Sequence, residues 1–234
     1  MFRIVRLLIP GVALLVGAAC APDNPASDAV GVAQRTDAAR TAGAPPATAA
    51  ATRPRIVFLG DSLTAGLGLP REQSVPSLIQ ARLTAQGYRY EVVNAGVSGD
   101  TSAGGLSRLE WSLEGDVDVL VIELGANDGL RGLPPAQLKK NLDEIITRAK
   151  RRGVTVILTG MEAPPNYGPF YTSEFREVFS DVADDHDVAF VPFFLEGVAG
   201  DATLNQRDGI HPNADGARIV EALIWRTLEP VLEK

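Results

Sequence analysis

Short apolar runs rich in β-branched residues alternate with longer segments of helical periodicity from residue 53 onward. The apolar runs predict five strands, at residues 56–59, 91–94, 117–124, 154–159 and 189–193. The intervening segments predict helices at 76–86, 102–113, 134–152, 173–186 and 214–231. Strands that alternate with helices of this length favour a parallel sheet covered on both faces. The pattern therefore predicts an α/β fold: a three-layer α/β/α sandwich with a five-stranded parallel sheet.

The first 20 residues have the pattern of an export signal. Arg3 and Arg6 give a charged start, residues 7–16 are apolar but too few to span a bilayer, and small residues precede Cys20. We therefore predict export, in a bacterium to the periplasm. Cys20 lies where a bacterial lipoprotein is cleaved and acylated, so we predict a lipid anchor there. Gly17 stands where the lipoprotein consensus usually has leucine, and ordinary signal-peptide cleavage is the alternative.

Residues 21–53 are dominated by Ala, Pro, Thr, Asp and Gly, and they show no apolar periodicity. This composition predicts a disordered linker. The remaining residues, 54–234, are predicted to form one folded domain. Membrane association is expected only through the lipid on Cys20.

Composition excludes several classes of function. The formal net charge is −7, so a nucleic-acid partner is not expected, because phosphate binding needs a basic face. The chain has two histidines and one cysteine, without metal-ligand spacing, and it has no cofactor motif. We therefore expect neither a metal nor a cofactor. A single cysteine also leaves no intrachain disulfide.

A serine, a histidine and an aspartate occupy positions that fit nucleophilic catalysis. Ser62 follows the first predicted strand in the segment Gly-Asp-Ser-Leu, and Asp208 and His211 lie in Asp-Gly-Ile-His-Pro-Asn before the last predicted helix. A serine hydroxyl becomes a nucleophile when an imidazole takes its proton and a carboxylate orients that imidazole. The pattern favours a serine hydrolase. The alternatives are capping roles, for Ser62 at the helix after the first strand and for Asp208 at the last helix, although Asn213 is closer to that helix.

Two further polar segments follow predicted strands, at residues 94–101 and 125–129. Active sites of parallel sheets form beyond the carboxyl ends of the strands, so Gly96 and Asn127 are expected near Ser62. The Asn127 side-chain amide can donate to a developing oxyanion. The alternative for Asn127 is a bond within its own loop, and for Gly96 it is a turn that needs backbone freedom.

In this order, the four segments resemble the blocks of the SGNH (GDSL) hydrolase family, and within it the bacterial arylesterase, acyl-CoA thioesterase I and lysophospholipase subgroup. The resemblance extends from about Arg55 to near Lys234. It implies a flavodoxin-like α/β/α fold with no cofactor. It also implies a triad and an oxyanion hole, the triad formed by Ser62, Asp208 and His211, and the oxyanion hole by Ser62, Gly96 and Asn127.

The same resemblance implies hydrolysis of acyl esters, with arylesterase, thioesterase and lysophospholipase activity, so that the expected partner is a small acyl ester or a lysophospholipid. Residues 163–171 read Ala-Pro-Pro-Asn-Tyr-Gly-Pro-Phe-Tyr, and Ala163, Pro165, Tyr167 and Phe170 are candidates to line an apolar acyl groove. A stiff surface loop is the alternative for this segment. The alternative functions are a carbohydrate O-acetylesterase and a non-catalytic binding lipoprotein.

Other polar residues receive smaller roles. His186 stands among acidic residues, which predicts a solvated, non-catalytic position. Asp61 is predicted to organise the turn before Ser62, and Asp100 to cap the helix that follows it. Glu123 and Asp128 carry no assigned role.

Overall fold

The structure is a computed structural model that describes residues 53–233. Five parallel strands form one sheet in the order β2-β1-β3-β4-β5. They are β1 (Arg55–Gly60), β2 (Glu91–Gly96), β3 (Val117–Glu123), β4 (Thr155–Thr159) and β5 (Ala189–Val191). This order is that of flavodoxin-like sheets. The predicted signal segment with Cys20, and residues 21–52 of the predicted linker, lie outside the described residues.

Helices connect the strands and cover the sheet. Those of residues 53–233 are α1 (Ser62–Ala65), α2 (Val75–Ala85), α3 (Ser102–Ser107), α4 (Leu109–Ser112), α5 (Ala126–Leu130), α6 (Pro135–Arg151), α7 (Pro169–His186) and α8 (Ala214–Leu228). Helices α2 and α8 pack together in one layer, and α3, α6 and α7 pack in succession in the other. The predicted three-layer α/β/α fold is confirmed. None of the helices in this part of the chain has the length and apolar character needed to cross a bilayer.

The central strands are buried on both faces. Residues 56–59 of β1 and 119–122 of β3 are at most 1% exposed. This burial explains why these strands read as continuous apolar runs rather than as alternating ones, since helices cover both faces of a parallel sheet. The last strand is shorter than predicted and ends at Val191, because Pro192 has no N–H to donate to a neighbouring strand.

Several helices differ from the prediction. The predicted helix 102–113 breaks at Arg108 into α3 and α4. At this break the Arg108 guanidinium donates to Gly60 O at 2.8 Å and to Ala95 O at 2.6 Å, at the ends of two strands. Helix α7 begins at Pro169, four residues earlier than predicted, with proline in the first turn where its missing N–H costs no bond. The short helices α1 and α5 were not predicted.

We expect Phe175→Ala to lower the free energy of unfolding by about 3–5 kcal/mol, because the ring is fully buried and its loss leaves a cavity. Phe175 also packs on Phe179 with ring centroids 5.5 Å apart. Phe170→Ala in the same helix is the matched control. Its ring is 92% exposed, so the change should stay within about 0.5 kcal/mol. Denaturant unfolding of both variants measures the difference, and equal losses would contradict this account of the core.

Candidate active site

The site lies where three neighbouring strands end. In the sheet register, Gly60 of β1 pairs with Gly96 of β2 on one side and with Glu123 of β3 on the other. Ser62 follows directly as the first residue of α1. The N–H groups of a first helical turn have no partner within the helix, so the N–H of Ser62 is available to an acceptor outside it.

The structure brings the predicted triad residues together. Ser62 Oγ lies 2.9 Å from His211 Nε2, and His211 Nδ1 lies 2.8 Å from Asp208 Oδ2. This network assigns the proton of the neutral imidazole to Nδ1, so that Nε2 accepts from the serine hydroxyl. The N–H groups of Ile210 and His211 also donate to Asp208 Oδ1, each at 3.1 Å. These bonds, with the His211 side chain the largest cause, lower the pKa of Asp208 to about 2.

The loop that carries His211 is held on both sides. Gln206 N donates to His211 O at 2.7 Å, and Asn205 pairs with Pro212 in an antiparallel bridge. The Gln206 side chain donates to Leu67 O at 2.7 Å, just after α1, so the loop is tied to the segment of the serine. Asn213 caps α8 by accepting two backbone N–H bonds of its first turn. Asp208 is therefore free of the capping role.

Asn127 reaches the same edge of the sheet from α5. Gly125, directly before that helix, has φ of 116°, and a Cβ there would lie 2.8 Å from a ring atom of Phe179. The turn consequently requires glycine. The Asn127 amide donates one N–H to Asp61 Oδ2 at 3.0 Å, which leaves its second N–H for an acceptor in the cavity beside Ser62.

Gly96 lies close to the serine helix, but its N–H is engaged. It donates to Asn94 Oδ1 at 3.0 Å, and the Asn94 amide donates to Thr64 O in α1 at 3.0 Å. A Cβ at Gly96 would lie 2.3 Å from Ala65 N, so glycine allows β2 to approach α1. In this state the structure gives Gly96 a packing role. Its predicted part in an oxyanion hole stays a prediction, which requires the N–H to be shared with or released from Asn94.

Two buried carboxyl groups lie beneath Ser62. Asp61 accepts from Leu63 N at 3.0 Å and so caps α1, which confirms its predicted role in the turn. Glu123 Oε2 accepts from Asp61 N at 3.3 Å, Thr64 N at 3.2 Å and Thr64 Oγ1 at 2.9 Å. Sequence reasoning assigned Glu123 no role. The sequence feature that could have identified Glu123 is its place inside an apolar run, which predicts a buried carboxyl group at a strand end.

A cavity of about 330 Å³ opens beside the serine and histidine. Its apolar lining includes Leu63, Leu130, Met161, Ala163, Pro165, Phe193, Leu195 and Ile210. Two of the four groove candidates, Ala163 and Pro165, are therefore in the wall. Tyr167 lies outside and donates its hydroxyl to Leu130 O at 3.0 Å. Phe170, at 92% exposure, points to solvent, because the segment turns into α7 at Pro169 instead of continuing as a loop.

The positions of His186 and Asp100 differ from the predictions. His186 ends α7 just before β5, so it lies at the amino ends of the strands, opposite to the end that carries Ser62. Its side chain is only 20% exposed, and its Nε2 lies 3.1 Å from Asp143 Oδ1. The predicted solvated position is wrong to that extent. The predicted cap at Asp100 is also wrong. Thr101 caps α3, and Asp100 instead accepts from Arg108 at 2.6 Å.

Asp128 has a structural partner set that the sequence did not predict. Its carboxylate accepts from Ser102 N at 2.7 Å and Ser102 Oγ at 2.6 Å, and Asn141 donates to that hydroxyl at 2.8 Å. The network joins α3, α5 and α6 behind the site. Within residues 53–233 no three or more His, Cys, Asp and Glu side chains are grouped so as to hold a metal.

The low pKa of Asp208 predicts a pH-dependent contribution to stability. A carboxyl group whose pKa falls from 3.8 to about 2 on folding stabilises the fold above pH 3.8, and this contribution is lost as the pH falls toward 2. We expect the melting temperature of Asp208→Asn to lie below that of the wild type at pH 6, with the gap closing between pH 4 and 2.5. The control compares the melting temperatures of His211→Ala with and without Asp208→Asn. Without the imidazole, the difference between these two melting temperatures should already be smaller at pH 6.

Known proteins share both the fold and the sequence blocks. The model of the GDSL-like lipase/acylhydrolase family matches residues 58–219. Esterase TesA of Pseudomonas aeruginosa is 50% identical over 76% of this chain and 89% of its own length. Thioesterase 1/protease 1/lysophospholipase L1 of Escherichia coli K12 is 35% identical over 78% of this chain and 87% of its own length. A crystal structure of TesA, 48% identical, superposes with a TM-score of 0.73 over 76% of this chain and 99% of that one. The chain belongs to the GDSL-like lipase/acylhydrolase family.

Proposed function

We propose that this protein hydrolyses acyl esters by two-step acyl transfer through Ser62, His211 and Asp208. Family membership makes the chain an SGNH-type carboxylic ester hydrolase, and the proposal adds the residues and their roles. One observation carries it: the unbroken series of 2.9 Å and 2.8 Å contacts from the Ser62 hydroxyl through His211 to Asp208.

In the first step, Ser62 Oγ attacks the ester carbonyl while His211 Nε2 takes the hydroxyl proton. Asp208, ionised at neutral pH, steadies the imidazolium that forms. The imidazolium then gives its proton to the leaving alcohol, and an acyl-serine remains. Water attacks the acyl-serine in the second step with His211 again as the base, which releases the acid and restores Ser62.

The tetrahedral intermediates of both steps carry an oxyanion. The N–H of Ser62 and the second N–H of the Asn127 amide donate to this oxyanion. The Gly96 N–H is a third donor when its hydrogen bond is shared between Asn94 and the oxyanion. Donors fixed in advance are effective because they need no reorganisation when the charge develops. Each is worth about 3–4 kcal/mol in comparable sites.

The lining of the cavity supports an apolar acyl group as the substrate part that it holds. Names of relatives include esterase, thioesterase and lysophospholipase, which fits arylesterase, thioesterase and lysophospholipase activity here. Export and acylation at Cys20 belong to the same proposal and rest on the pattern of residues 1–20. A tethered enzyme outside the cytosol would meet lysophospholipids or exogenous esters rather than acyl-CoA. The intact mass of the exported protein distinguishes acylated Cys20 from ordinary cleavage.

We expect Ser62→Ala to abolish ester hydrolysis without unfolding the protein, since a small hydroxyl is lost from the mouth of a cavity. In the wild type, a fluorophosphonate probe should form its adduct on Ser62, located by mass spectrometry of peptides. Ser98 and Ser102 are the internal controls. An adduct on either one would contradict the assignment of the nucleophile, and absence of any adduct would favour a non-catalytic binding protein.

The two histidines provide a matched comparison in the same assay. His211→Ala should be nearly as damaging as Ser62→Ala because members of a triad act as a unit, whereas His186→Ala should retain activity. Similar losses in both histidine variants at unchanged melting temperature would refute the role of His211.

We expect kcat/KM to rise with acyl chain length until the cavity is filled, by up to about 4-fold per buried methylene group. The assay is hydrolysis of p-nitrophenyl esters from acetate to laurate, below their micellar concentrations. Leu130→Ala removes part of the apolar wall, so it should lower kcat/KM several-fold for octanoate and little for acetate.

Phe170→Ala is the control for this series, because its ring lies outside the cavity and the profile should not change. A flat or acetate-favouring profile in the wild type would contradict an acyl-binding cavity. It would move the function toward a carbohydrate O-acetylesterase.

A further inference from the structure

Two acidic side chains lie beneath the nucleophile, and the proposed mechanism uses neither of them. Asp61 and Glu123 are both 0% exposed. Within residues 53–233, neither carboxyl group forms a salt bridge with an arginine or lysine. Two adjacent buried carboxylates without a cation repel each other and lose their hydration, so one of the two must hold a proton at neutral pH.

The hydrogen-bond donors around the pair identify the protonated group. Each oxygen of Asp61 has a donor, Leu63 N at 3.0 Å on Oδ1 and the Asn127 amide at 3.0 Å on Oδ2. On Glu123, Oε2 accepts all of the donors from Asp61 N and Thr64, whereas the buried Oε1 receives none. Asp61 is therefore the carboxylate, and Oε1 of Glu123 is the atom available to carry the proton.

The electrostatic balance agrees with this assignment. Burial raises the pKa of both groups, and the Asp61 charge raises the pKa of Glu123 further, to well above its usual range. On Asp61, the Leu63 N–H and the interactions with Glu123 and Asn127 offset part of the rise that burial causes, although its pKa stays above its usual value. Together with the arrangement of donors, these effects favour a neutral glutamic acid next to an ionised aspartate.

We infer that Glu123 is a positioning residue for ester hydrolysis: its carboxylic acid O–H donates to the Asp61 carboxylate, which in turn fixes the Asn127 amide at the cavity. This inference rests on the proposed function. A carboxylate accepts but cannot donate, so Asp61 selects the amide N–H side of Asn127 and excludes the flipped orientation that would turn the carbonyl oxygen toward it. The proton on Glu123 also limits the buried pair to one negative charge, and a second charge would oppose the developing oxyanion nearby.

The test compares two substitutions of Glu123 in hydrolysis of p-nitrophenyl octanoate. Glu123→Gln is neutral and keeps both an acceptor for the donors of the α1 turn and an N–H donor for Asp61, so kcat and KM should stay within about 3-fold of the wild type. Glu123→Leu removes both functions. Its kcat should fall by about 30-fold or more with KM changed less than about 2-fold, because the displaced amide acts mainly in the transition state.

A double-mutant cycle with Asn127→Ala shows whether the effect passes through the amide. In that background, Glu123→Leu should lower kcat by less than about 3-fold further. An undiminished effect there, or a Glu123→Gln variant as impaired as Glu123→Leu, would overturn the inference. Glu221→Gln is the matched control, because Glu221 is a buried carboxyl group, 5% exposed, that pairs with Arg82 between α8 and α2, and the kcat of this variant should not change.

Infrared spectroscopy tests the proton itself and does not depend on activity. A protonated carboxyl group has a carbonyl band separate from that of carboxylates. The difference spectrum of wild type minus Glu123→Gln at pH 7 should show this band, and its absence would refute the neutral Glu123. If the wild type failed to hydrolyse esters, the proposed function would fall, while the spectrum would still decide the state of the pair.

Discussion

The whole site depends on the in-register pairing of three parallel strand ends. Gly60 stands between Gly96 and Glu123, so the segments that follow β1, β2 and β3 must leave the sheet at one place. Strands buried on both faces have no polar side to fix their register, and a slip would not expose a different face. Bonds at the strand ends supply the constraint instead. Gly60 O accepts from Val97 N at 3.0 Å and from the Arg108 guanidinium, which also binds Ala95 O.

The polar residues that the fold buries are concentrated behind this edge. Glu123 accepts from Asp61 N and from Thr64 at the start of α1, and Ser102 with Asp128 forms a second network behind α5. Each network costs desolvation, which the hydrogen bonds offset only when nearly every group is satisfied. Such departures from an apolar core are expected where a site must be held rigid. The two networks hold opposite ends of the proposed oxyanion hole, one at the serine turn and one at the asparagine helix.

The sequence predicted the sheet and the triad for separate physical reasons. Apolar runs report burial, which located all five strands, and strand adjacency then places Ser62 and Asn127 together. Asp208 and His211 meet because an Asp-x-x-His turn brings them together locally. The periodicity of apolar residues does not indicate which donor pairs with which acceptor. The hydrogen bond from Gly96 N–H to Asn94 and the partners of Glu123 were therefore not predicted. Phe170 was predicted to line the groove, but it lies exposed in the first turn of α7, which begins at Pro169 because proline is common in the first turn of a helix.

The candidate site combines residues from two kinds of structure. Ser62 and Asn127 stand at strand ends held by buried bonds, whereas Asp208, His211 and most of the cavity wall come from the connections after β4 and β5. The inner wall belongs to the core: Met161 is 4% exposed and Leu195 is 8% exposed. Residues nearer the opening do not belong to the core, since Leu130 is 45% exposed and Ile210 is 48% exposed. Under the proposed function, substitutions at the rim would therefore alter acyl preference at little cost to stability, while a change of the inner wall must repack the core.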